Sequence, residues 1–108
     1  MVSEFKEGRA RVKKAEKYGF INKEGKLTIA LDYDKCYDFV QGVAMVEQAG
    51  KKGLMDLEGL LLIPCQYDVI EEEKFHETTD RILRLEKAGK MAYYNATAKR
   101  IIWQEEGF

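Results

Sequence analysis

One histidine, one proline, one tryptophan and two cysteines are all that this chain of 108 residues holds of those four types. Each scarcity excludes something. Histidine is the commonest general base, and His76 stands alone in a polar stretch, so no catalytic residue is expected. Metal sites need clustered His, Cys or carboxylates, and neither C-x-x-C nor H-x-x-x-H occurs, so no metal is expected. Cys36 and Cys65 cannot supply a disulfide framework. With no export signal in view, they read as free, half-buried thiols in a reducing cytoplasm. No G-x-G-x-x-G or G-x-x-x-x-G-K-[ST] is present, so no cofactor is expected. The longest apolar run, Leu60 to Pro64, is far short of the ~18 residues of a membrane span. The opening MVSEFKEGRARVKK lacks the apolar core of a signal peptide. A net charge of -1 gives no general pull toward nucleic acid or an anionic membrane.

What the chain has instead is repetition. A shift of 34 lays Phe5 on Phe39, Gly8 on Gly42, Ala10 on Ala44 and Val12 on Val46. The same shift lays Gly19 on Gly53, Gly25 on Gly59, Ile29 on Ile63, and Tyr33-Asp34 on Tyr67-Asp68. A third copy follows at a shift of 39, with Leu83 and Leu85 for Ala44 and Val46, and Ile102 for Ile63. Its extra residues fall in EEEKFHETTD, positions 71–80, which reads as a surface insertion with room for one helical turn.

The local pattern is that of strands. In RARVKKA, apolar Ala10 and Val12 alternate with charged neighbours, a period of two. KYGFIN follows after a gap short enough for a hairpin, and NKEGK and DLEGL carry glycines suited to a second turn. KLTIA and LLLIP make third strands, and LDYDKCYD reads as a connecting loop. The expected fold is therefore all-β. A single domain, 1–108, is built from tandem three-stranded antiparallel meanders at about 5–38, 39–74 and 75–108. A lone meander cannot bury its apolar face, so the copies must stack. Ala98, where the first two copies have glycine, needs a positive φ or a reshaped turn.

The frame F-x-x-G-x-A-x-V, then G-K-x-G, then D-x-x-G-x-x-x-I-P-x-x-Y-D is seen in FVQGVAMV, GKKG, DLEG and LLIPCQYD. It resembles the WG (KWG) repeat of bacteria. The tryptophan before glycine is replaced by Tyr18, Lys52 and Met91. The resemblance implies an interaction scaffold without catalytic residues.

Candidate partner-binding residues are sought where the copies disagree. One set is the charged side of the first strand: Arg9, Arg11 and Lys13, then Val43 and Met45, then Ile82 and Arg84. It reads either as a binding surface with an apolar centre or as a face covered by neighbouring units. The basic cluster lacks adjacent aromatics for base stacking, which argues against nucleic acid. The other set is the insertion, with Glu71, Glu72, Glu73, Phe75 and His76. YD recurs with the unit and reads as structural. The expected function is a cytoplasmic, non-enzymatic protein-binding module, concretely an immunity protein or toxin inhibitor. The alternatives are a fragment of a larger array or a binder of carbohydrate at a cell surface. Unclosed edge strands leave an oligomer open.

Overall fold

The structure, a computed structural model, describes residues 4–108; of the expected domain, positions 1–3 lie outside the described residues. Among the described residues there are eleven strands and no helix. The alternating segments form the strands predicted from them. Ala10–Lys14 (β1), Lys17–Ile21 (β2) and Leu27–Tyr33 (β3) make the first antiparallel sheet, in that order. The second sheet runs Lys35–Cys36 (β4), Val43–Gln48 (β5), Lys51–Asp56 (β6) and Leu61–Tyr67 (β7). The third runs Val69–Glu73 (β8), Ile82–Lys87 (β9), Lys90–Asn95 (β10) and Arg100–Gln104 (β11).

The second and third sheets thus carry one strand more than a meander. LDYDKCYD is not a loop. The chain leaves the first sheet at Tyr33-Asp34 and at once pairs with the second, Cys36 opposite Val46. It leaves the second sheet at Tyr67-Asp68 and pairs with the third, Ile70 opposite Leu85. The YD pair is the corner between sheets. The Asp34 carboxylate accepts from Lys17 behind it and from the Ala49 amide of the next hairpin at 2.8 Å. Asp68 repeats this with Lys51 and the Ala88 amide at 3.3 Å.

The glycine of the second strand serves the same corner. Tyr18 lies opposite Tyr33, and Phe20 opposite Ile29, so the segment between Ile29 and Tyr33 bulges across from Gly19 alone. A Cβ on Gly19 would meet the Ile29 carbonyl oxygen at 2.3 Å, and one on Gly53 would meet that of Ile63 at 2.6 Å. The bulge bends the third strand toward the next sheet. Pro64 sits in the second bulge, on a strand paired on one side, where a missing N–H breaks no ladder. In the third sheet Ala92 pairs regularly with Gln104. With no bulge opposite, its Cβ is accommodated.

Two seams hold the stack. The first packs Phe20 and Ile29 of the first sheet against Phe39, Ala44, Val46 and Met55 of the second. The second packs Val43, Leu54, Ile63 and Tyr67 against Ile70, Leu83, Leu85, Ala92 and Tyr94. In each seam an aromatic or a leucine from one sheet packs against small and large side chains of the next. The array measures 42 × 30 × 18 Å.

Candidate partner-binding surface

The charged side of the first strand is not an outer surface. Arg9, Arg11 and Lys13 lie on the face of β1 turned toward the second sheet. Arg9 Nε donates to the Leu57 carbonyl at 3.0 Å. Arg11 Nη1 donates to the Cys36 carbonyl at 2.9 Å, and its Nε lies 3.7 Å from Asp38. Lys13 stands over the Tyr18 ring. Val43 is buried in the second seam, with Met45 packed half-buried beside it. Ile82 is buried as well. The apolar centre of the expected surface is therefore core. Of the two readings, the face covered by the next unit is the one observed in the first and second sheets, because stacking needs large side chains there.

Arg84 takes the same place in the third sheet as Arg11 and Met45, and there no further sheet follows among the described residues. It is gripped by Glu73 at 2.9 Å, by Glu71 at 2.7 Å and by Glu86. These carboxylates raise the pKa of the guanidinium above its ordinary value, with Glu73 the largest cause. The acidic run is thus not a free loop tip. Glu71 and Glu73 belong to β8 and face Arg84, while Glu72 pairs with Arg81 at 2.5 Å. No helical turn forms in the insertion; its loop spans 74–81.

Arg81 escaped sequence reading, yet it anchors that loop. Its Nη1 donates to the carbonyls of Val40 at 2.8 Å and Val43 at 2.9 Å, one unit back. Thr97 donates to Gln41 at 2.9 Å beside it. Asn95, one of the buried polar side chains, donates to Asp80 at 2.9 Å. These bonds frame a cleft of about 350 Å³ between Val40-Gln41, Glu72–Phe75 and Thr78–Ile82. Phe75 stands exposed on its lip and meets Tyr93 edge-on, with ring centres 6.1 Å apart. Trp103 lies 6.0 Å beyond Tyr93, tilted by 46°. His76 is exposed on the loop.

Trp103 also corrects the repeat register. It pairs with Tyr93 as Ile29 pairs with Phe20 and Ile63 with Leu54. Trp103, not Ile102, is therefore the counterpart of the two isoleucines. The turn between β10 and β11 is one residue longer than its equivalents, and Lys99, not Ala98, takes the positive φ of 58°. The lone tryptophan and a lost turn glycine were the available signals.

Cys36 is fully buried rather than half-buried, and burial pushes its thiol up to about 12. Cys65 is half-buried, its thiol raised by desolvation and by Glu47, and both cysteines are free. Neither thiol is primed as a nucleophile. Among the described residues no group of three His, Cys, Asp or Glu side chains could hold a metal, and no helix is long and apolar enough to cross a membrane.

No curated protein and no solved structure matches the chain. The family model of the WG containing repeat matches residues 1–18 and 18–51. Its second match starts at Tyr18, before the bulge glycine, and runs through β2, β3, β4 and β5, so it spans one corner between sheets. The matched N-terminal region, residues 1–51, is similar to the WG containing repeat, the family that the glycine-and-YD frame resembles.

Proposed function

We propose that the chain is a non-enzymatic protein-binding module that acts in the cytoplasm by covering another protein. Concretely, it is an inhibitor or immunity protein that masks a bacterial toxin or enzyme. The observation that carries this reading is the 74–81 loop. It is longer than its counterpart, residues 37–42 between β4 and β5, yet Arg81 ties it to the preceding unit, so it is a fixed feature and not a slack connection. Beside it lie a cleft of about 350 Å³ and an exposed aromatic, Phe75. A rigid loop with an aromatic at its lip is how a small scaffold presents a binding anchor at low entropic cost. Under this reading, Phe75, His76 and the cleft wall touch the partner. The arginines of the first unit only hold the stack.

The test is co-purification of the tagged chain from its native host, followed by titration of any partner with wild-type protein, Phe75→Ala and a variant with 74–80 shortened to the length of the second unit. A specific partner whose activity falls on binding, and an affinity loss of about tenfold or more for Phe75→Ala, are expected. A partner bound equally well by the shortened variant would remove the loop from the reading.

The row Phe75, Tyr93, Trp103 favours a second reading, a carbohydrate site. The rings are tilted by 77° and 46° to their neighbours. They form no flat platform for a sugar face, which ranks this reading below the first. Retention of the chain on a glycan array, lost in Trp103→Ala, would reverse that order.

A further inference from the structure

The two ends of the array expose the two halves of a seam. At the C-terminal end, Trp103 occupies the position of Ile29 and Ile63. Those are 4% and 6% exposed beneath the next sheet, whereas Trp103 is 48% exposed. Tyr93, at the position of buried Phe20 and Leu54, is half-buried beside it. At the other end, Phe5 is the repeat equivalent of Phe39. Phe39 is 2% exposed, with its ring 4.8 Å from Phe20 across the first seam, while Phe5 is 43% exposed. The C-terminal end thus shows a forward face on which Phe75 meets Tyr93 and Trp103 is left exposed, with no further sheet over it among the described residues. The N-terminal end shows the aromatic that such a face receives.

Charge disfavours pairing of the forward face with itself. That face of the third sheet holds Glu71, Glu73 and Glu86 around Arg84. Two acidic faces would repel one another, so the forward face is ill suited to pair with itself.

We infer that the occupant of the terminal face is the N-terminal unit of a second copy, joined head to tail so that Phe5 of one molecule meets Tyr93 and Trp103 of the next. The contact continues the seam already made twice within the chain. It is heterologous, so each added copy leaves one end of each kind open, and assembly proceeds to linear oligomers. This inference stands apart from the inhibitor reading, which rests on the loop and cleft.

Sedimentation velocity over a wide range of concentration tests it. Wild-type protein is expected to gain mass with concentration beyond a dimer. Phe5→Ala and Trp103→Ala, both at half-exposed positions, should each remain monomeric and keep the wild-type circular dichroism spectrum. Trp103→Glu gives a second, stronger block. Mixed in equal amounts, Phe5→Ala and Trp103→Ala should form a dimer that grows no further, since each keeps one working end. Three results would overturn the inference: a wild type that is monomeric throughout, a mixture that forms no dimer, or association lost in Trp103→Ala but intact in Phe5→Ala. The last would mean that the terminal face pairs with itself.

Discussion

Asp34 and Asp68 show how one residue type holds two units at once. Each carboxylate is kept below its ordinary pKa of 3.8, first by the ammonium of Lys17 or Lys51 and then by a hairpin amide of the next sheet. A depressed carboxylate stabilises the fold above its unfolded pKa, and that contribution is lost as pH falls through the folded value. Both groups are solvent-exposed, so screening keeps the effect small. The melting temperature of wild-type protein should therefore fall on acidification below about pH 4, and the double variant Asp34→Asn, Asp68→Asn should start lower and fall less. Thermal melts at several pH values decide this. An equal acid-induced drop in both proteins would show that the corners do not titrate as argued. At this scale the sequence was a good guide to the scaffold: recurrence alone marked YD as structural. It was a poor guide to the side chains between units. Arg9 and Arg11 look like a solvated stripe because alternation tells which residues share a face and not what that face meets.

Among the elements, the third strand is the one that distinguishes an inner unit from the last. In the first two sheets it bulges opposite a glycine and turns into its neighbour. In the third it pairs regularly opposite Ala92. Gly53→Ala would drive a Cβ to 2.6 Å from the Ile63 oxygen and 2.9 Å from the Cys65 nitrogen, both backbone atoms. A loss of about 1–3 kcal/mol is expected. Urea denaturation of the variant and the wild type measures it, and equal stability would mean that the bulge can relax around a methyl group. Strand existence and the hairpins were legible from alternation and glycine spacing. Two things were not. The short β4 carries no pattern of its own and is a strand only because β5 lies beside it. The added residue in the last turn shifted β11 by one, and it hid Trp103 behind an apparently matching Ile102.

For the whole molecule, stability is a sum of units and seams rather than one central core. Leu54→Ala opens a cavity in the second seam and should cost about 2–5 kcal/mol. Because only neighbours touch, the loss should be local. Hydrogen exchange should show β9 and β10 deprotected in the variant while β1 to β3 keep most of their protection, whereas uniform deprotection would indicate a single cooperative block. The corner at Tyr33-Asp34 carries a broader implication. Since each sheet is one unbroken stretch of chain, 10–33, 35–67 and 69–104, a cut at Asp34 or Asp68 severs no ladder. A copying event bounded by these corners carries a whole sheet with it, while one that begins elsewhere splits a sheet between its two products.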